Sequence, residues 1–198
     1  MTETIFPEIS IAALKAGDRA EFARLAASFS TPIYRLALKM TGDPSDAEDV
    51  LQNTFLKALQ HIHGFEERSS LSTWMYRIAA NEALMTLRRR KSQIPVDENP
   101  DDSDEELAPM QFTDWCCLPE SEFVSAEAKK QLDQAIQHLP DSLRVVFLLR
   151  DIEGLSIKET VEALNLSETA VKTRLLRARL RLREKLSSYF GERVREVS

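Results

Sequence analysis

The sequence predicts an all-α protein: two small helical domains joined by an acidic flexible linker, the C-terminal one carrying a helix-turn-helix. Three observations support this. Apolar residues recur at helical spacing through most of the 198 residues, with five glycines and few β-branched runs to favour strands. The segment between residues 92 and 128 contains no Lys or Arg, and Asp97, Glu98, Asp101, Asp102, Asp104, Glu105, Glu106, Asp114, Glu120 and Glu122 crowd into it. Residues 156–185 read as two helices separated by Asn165-Leu166-Ser167.

Taken in order, residues 1–16 hold a few apolar side chains and no clear pattern. Asp18 is a candidate cap for a helix with Phe22, Leu25, Phe29, Ile33, Leu36 and Met40 on one face. Thr31-Pro32 falls inside it and predicts a break or kink. Gly42-Asp43-Pro44 is a stop and turn. Ser45-Asp46-Ala47-Glu48 has the form of a capping box. The helix behind it places Ala47, Val50, Leu51, Phe55, Ala58, Leu59 and Ile62 on its buried face. His61 and His63 end it; a His-x-His pair without a third ligand reads as surface residues.

Residues 64–73, GFEERSSLST, read as a polar loop. A helix starts near Ser72 with Trp74, Ile78, Ala79 and Met85 inward, and it ends in Arg88-Arg89-Arg90-Lys91. Basic residues suit the negative end of a helix dipole. Trp74 and Tyr76 are candidates for stacking on unpaired bases, although a large aromatic taken singly is more often a core residue. Residues 92–118 have linker composition, interrupted by the apolar stretch 110–115. A helical block from Glu120 carries Phe123, Leu132, Ile136 and Leu139 up to Pro140. Asp141 or Ser142 caps the next helix, RVVFLLRDI, which stops at Glu153-Gly154.

Ser156 and Glu159 form a second capping box ahead of Ile157, Val161 and Leu164. Ser167 caps the last helix, which carries Val171, Leu175, Ala178, Leu182 and Leu186 on one stripe. At about 100° per residue, Thr173 and Arg177 point away from that stripe, with Lys172 and Arg174 beside them. A short helix, a tight turn and a basic second helix form the pattern that enters a major groove. The same pattern also occurs in plain helical hairpins with a solvated arginine face.

The formal net charge is −6, yet basic residues concentrate at 88–91 and 172–185, and local patches steer binding more than the sum does. The adjacent Cys116 and Cys117 cannot form an unstrained disulfide, and no Cys/His set has zinc spacing. They read as reduced thiols in a loop, with a redox sensor as the alternative. No apolar run spans a bilayer and MTETIFPEIS lacks the form of a signal peptide, so the sequence reads as a cytoplasmic protein without direct membrane insertion.

The whole arrangement resembles an extracytoplasmic-function sigma factor. GDPSDAEDVLQNTFLKAL is similar to the core-polymerase-binding segment of that family. FEERSSLSTWMYRIAANEALMTLRRRK is similar to its promoter-melting and minus-ten segment. LPDSLRVVFLLRDIEGLSIKETVEALNLSETAVKTRLLRARLRLREKL is similar to its minus-thirty-five-binding domain. The resemblance implies a region-two domain at 1–92, an acidic linker at 93–118 and a region-four domain at 119–198. It implies core RNA polymerase, promoter DNA and an anti-sigma factor as partners, no cofactor or metal, and no catalysis of its own. Polymerase contacts would fall on Asp46, Asp49, Gln52, Asn53, Phe55 and Lys57. Minus-ten contacts would fall on Phe65, Ser69, Ser70, Trp74, Tyr76, Asn81, Arg88, Arg89 and Arg90. Minus-thirty-five contacts would fall on Ser167, Thr169, Lys172, Thr173, Arg174, Arg177 and Arg179. The competing readings are a stand-alone helix-turn-helix regulator, which would need no polymerase-binding helix, and a helical adaptor with no DNA role.

Overall fold

The computed structural model describes residues 9–93 and 126–196. Among them every regular element is helical: α1 (Ile11–Lys15), α2 (Arg19–Thr41), α3 (Pro44–His61), α4 (Leu71–Gln93), α5 (Ala126–Gln137), α6 (Asp141–Phe147), α7 (Ile157–Leu164) and α8 (Glu168–Glu196). A 3-10 turn at Ile62–Gly64 extends α3, and a π turn at Leu148–Ile152 extends α6. The acidic segment, the apolar stretch 110–115, Cys116-Cys117 and Phe123 lie outside the described residues.

Asp18 caps α2, accepting the N–H groups of Ala20 at 2.8 Å and Glu21 at 3.3 Å. The break expected at Pro32 is absent: α2 runs unbroken to Thr41 with Pro32 buried inside it. Leu25, Phe29, Ile33, Leu36 and Met40 line one face and are at most 1% exposed. An internal proline costs about 3 kcal/mol, whereas burying one such side chain contributes about 1.5–3 kcal/mol. Five of them outweigh the proline. The helix ends at Gly42 in the left-handed region, φ 72°, where a side chain would be strained.

The cap of α3 differs from the expected one. Asp43, not Ser45, is the N-cap; its carboxylate accepts Ser45 N–H at 2.8 Å and Asp46 N–H at 3.1 Å, and Pro44 occupies the first helical position. Proline is favoured there because its missing N–H would have been unpaired anyway. The buried stripe of α3 is Ala47, Val50, Thr54, Ala58 and Ile62. Thr54 satisfies its hydroxyl on Val50 O at 2.6 Å. Leu59 is therefore not a core residue; it is 51% exposed.

Across α4 the buried stripe is Met75, Tyr76, Ala79, Ala80, Ala83 and Leu87. Met85 lies opposite that stripe and is exposed, contrary to the sequence reading, and Trp74 and Ile78 are half-buried. The alanines let α2, α3 and α4 approach closely into a three-helix unit.

The second unit packs α6 against α8, with α5 and α7 at the flanks. Neither Asp141 nor Ser142 caps α6. Pro140 holds the N-cap position without a side-chain bond, and Asp141 instead pairs with Lys91 of α4 at 2.8 Å. The capping box of α7 is as read: Glu159 N–H donates to Ser156 Oγ at 3.2 Å, and Ser156 N–H donates to Glu159 Oε2 at 2.8 Å. Asn165 turns the chain with φ 52°, and Ser167 Oγ accepts Ala170 N–H at 3.1 Å to start α8. The two units pack against each other, α4 on α7 and α2 on α5.

Candidate polymerase and nucleic-acid interfaces

The structure divides the candidate polymerase residues of α3 into two groups. Asp49, Gln52 and Asn53 point to solvent. Asp46, Phe55 and Lys57 are half-buried. Asp46 and Lys57 turn toward α4, where Asp46 meets Arg90 at 3.5 Å and Lys57 pairs with the nearly buried Glu82, while Phe55 packs against the core from another side of α3. Sequence reading missed two residues of the exposed face. Leu56 is 55% exposed and Leu59 51%, and both share the outward face with Asp49 and Gln52. The signal was available: Leu56 falls opposite the Ala47–Val50–Ala58 stripe at 100° per residue. A half-exposed leucine on a polar face is suited to docking.

The next surface is built where α3 leads into α4. Ser70 Oγ accepts Thr73 N–H at 3.1 Å and so fixes the start of α4. Phe65 is buried and stacks obliquely on Trp74, ring centroids 5.1 Å apart at 38°. Trp74 in turn walls an open groove of about 560 Å³ between α3 and α4. Asn81, Arg77, Arg88, Lys57 and His61 line the same groove, with Met85 and Ile78 as its apolar floor. An aromatic face, an amide and a cationic rim are the groups that hold an unstacked base. Arg88, Arg89 and Arg90 are exposed. Ser70 is exposed and Ser69 half-buried.

Tyr76 does not join this surface. It is 2% exposed on the far side of α4, and its hydroxyl donates to Glu153 Oε2 at 2.6 Å. Burial pushes the Tyr76 hydroxyl far above its ordinary value, and the Glu153 charge adds to that. Burial likewise raises the Glu153 carboxyl, with the Tyr76 bond and Arg35 partly opposing. Sequence spacing gave no signal for this pair, because its members are 77 residues apart.

On α8, Ser167, Thr169 and Lys172 are exposed, and Thr173, Arg174, Arg177 and Arg179 are half-buried. Lys172 pairs with Glu168 at 2.6 Å, and this pairing lowers the Glu168 carboxyl. Arg179 makes a two-pronged contact with Asp151, at 2.9 and 2.8 Å, which ties α8 to the π turn. Among the described residues no three metal-ligating side chains converge, and no helix is long and apolar enough to cross a membrane.

Described residues that are helical throughout their regular elements, with a helix-turn-helix and a basic end to α4, have the architecture of a DNA-directed transcription factor. Residues 25–93 match the family description Sigma-70 region 2, and residues 129–182 match Sigma-70, region 4. The chain is 35% identical to the ECF RNA polymerase sigma factor SigW of Bacillus subtilis, over 87% of this chain and 92% of that one. It belongs to the extracytoplasmic-function sigma factors of the sigma-70 family, and is a transcription initiation factor rather than an enzyme. It is also 31% identical to the RNA polymerase sigma-H factor of Pseudomonas aeruginosa, covering 82% of this chain and 84% of that one. The fold is shared with CnrH solved in complex with the cytosolic domain of CnrY: TM-score 0.64, 22% identity, 90% of this chain and 95% of that one. It is also shared with RpoE of Bartonella quintana in complex with the anti-sigma factor NepR: TM-score 0.62, 22% identity, 84% and 97%.

Proposed function

We propose that this sigma factor divides initiation among three surfaces, with a region-two domain at 1–92, a linker at 93–118 and a region-four domain at 119–198. The outward face of α3 docks on core RNA polymerase through Asp49, Gln52, Asn53, Leu56 and Leu59. The groove beside Trp74 holds a minus-ten base that has left the stack, with Ser69, Ser70 and Asn81 selecting it and Arg88, Arg89 and Arg90 on the backbone. Unstacking costs a few kcal/mol per base, and stacking on Trp74 together with docking on polymerase offsets it. The start of α8 reads the minus-thirty-five duplex: Ser167, Thr169, Lys172, Thr173, Arg174 and Arg177 face the groove or its phosphates, which position the helix. Arg179 serves there by holding α8 on Asp151.

The observation that carries this reading is the α3 face, two half-exposed leucines set among Asp49, Gln52 and Asn53. A stand-alone repressor has no use for such a face. Asp49→Lys together with Gln52→Lys changes only exposed side chains. It is expected to weaken co-purification with core polymerase while the melting curve stays put. Undiminished co-purification would refute the assignment. The factor works in the cytoplasm beside the polymerase. Its surfaces are expected to be covered by an anti-sigma protein; the solved neighbours are complexes with the cytosolic domain of CnrY and with the anti-sigma factor NepR. A pull-down from unstressed cells tests that partner.

A further inference from the structure

We propose that the short helix α1 sets the shape of the loop before α4, with Lys15 as the positioning residue, a role that rests on the minus-ten surface assigned above. The match to Sigma-70 region 2 begins at residue 25, so α1 lies outside it.

The stem that carries Lys15 is firmly mounted. Leu14 is fully buried, and Ile9 and Ile11 pack against the same core. Ser10 N–H donates to Oε1 of the buried Glu21 on α2 at 2.6 Å. At the other end Gly17 takes φ 79°, its N–H donates to Leu14 O at 3.0 Å, and Asp18 N–H donates to Ala13 O at 3.0 Å. Those bonds occupy carbonyls that the end of a helix leaves without intrahelical donors. The helix also packs on the 3-10 turn Ile62–Gly64, immediately before the loop.

The loop itself has fixed ends and a strained middle. Phe65 is buried against Trp74 at one end, and Ser70 Oγ accepts Thr73 N–H at the other. Between them Glu66, Glu67 and Arg68 are exposed. Glu67 has φ 59°, in the left-handed region that a glutamate rarely visits. Such a backbone persists only where its surroundings hold it. Arg68 pairs with Glu66, but both belong to the loop and cannot fix it on the body. Lys15 Nζ, by contrast, donates to Glu67 Oε1 at 3.2 Å from 52 residues away. That bond ties the left-handed residue to α1. Ser69 lies two residues on, so a change of φ at Glu67 moves it relative to Trp74, whereas Ser70 stays with α4. An exposed ion pair adds little to global stability, but it biases a choice between loop conformations by about twofold to fivefold.

The test uses the full chain with Lys15→Glu, Glu67→Lys and the charge-exchanged double variant. Zero-length carbodiimide cross-linking of dilute free factor, read by mass spectrometry, is expected to yield the Lys15–Glu67 product in wild type and in the double variant. In holoenzyme on a promoter library, each single variant is expected to lose about twofold to fivefold in base preference at one minus-ten position. The double variant and Lys15→Arg should regain it, with minus-thirty-five preference and Tm unchanged throughout. The two single variants change charge in opposite senses, so a simple phosphate contact would move them apart rather than together. Absence of the cross-link in wild type, opposite shifts in the single variants, or no recovery in the double variant overturns the tie. Ser69→Ala and Asn81→Ala run alongside as probes of the surface. If they shift minus-ten preference while the Lys15 and Glu67 variants do not, the positioning role falls and the minus-ten surface stands. If none of them shifts it, both fall.

Discussion

Replacing Leu56 and Leu59 by alanine isolates the docking face of α3 from its fold. Full burial of a leucine contributes about 1.5–3 kcal/mol. With 55% and 51% of each residue still exposed, roughly half of that remains to be gained on docking. Each residue then contributes about 1 kcal/mol to the complex, and the pair about 2 kcal/mol, near thirtyfold in Kd. Folding should hardly notice: leucine and alanine have similar helix propensity, and exposed substitutions stay within about 0.5 kcal/mol. Leu36→Ala is the contrasting control. It empties a site 1% exposed and is expected to cost about 2–5 kcal/mol of stability. Competition against labelled wild-type factor for core polymerase gives the Kd ratio, and a thermal melt gives the stability. A ratio below about threefold with an unchanged Tm would refute the burial argument.

Three further outcomes are expected. Arg144→Met strips the donor from Ile136, Gln137 and Leu139 carbonyls and should destabilise the second unit by about 3 kcal/mol in urea, whereas an exposed Arg89→Met should not. Ser156→Ala should cost about 1 kcal/mol and also flatten the acid limb of the stability curve. The Ser156 bonds lower the Glu159 carboxyl in the folded state, so their contribution is full above the ordinary carboxylate value and is lost as pH falls through the lowered one. Glu153 behaves oppositely. Burial raises its carboxyl in the folded chain, with Tyr76 of α4 and Arg35 and Lys39 of α2 partly opposing, so its contribution is full at low pH and is lost as pH rises through the raised value. Glu153→Gln should remove that trend from urea melts taken across pH, and a trend that survives the substitution counts against Glu153 as its source.

The helix-turn-helix was legible in the sequence because its determinants are local. A capping box, a left-handed Asn165 and the Ser167 cap lie within one short stretch, and each acts on its immediate neighbours. The start of α3 was also written locally, but twice. Ser45-x-x-Glu48 and Asp43-Pro44 both signal a helix start, and the proline decides because it fits only the first position. Leu59 was misplaced for a different reason. Apolar spacing shows which side chains could share a stripe, whereas a docking face needs apolar residues outside it.

The seam between the units was not legible at all, and its chemistry explains why. Arg144 sits in an apolar run, RVVFLLRDI, where an arginine reads as a misfit in a buried helix. Burial does push its guanidinium below the ordinary value, with Asp141 partly restoring it. The charge is tolerated because carbonyls from the ends of α2 and α5 converge on it, and backbone carbonyls carry no sequence identity. Gln137 works in the same way on Leu38 and Lys39. A contact whose acceptor is main chain leaves only half of itself in the sequence, and that half is a polar residue with many ordinary uses. Gly42 is the exception. Its positive φ is required by the helix end, and that same bend presents the α2 carbonyls to Gln137. The glycine that stops the first long helix thus also lies close against Gln137 of the second unit.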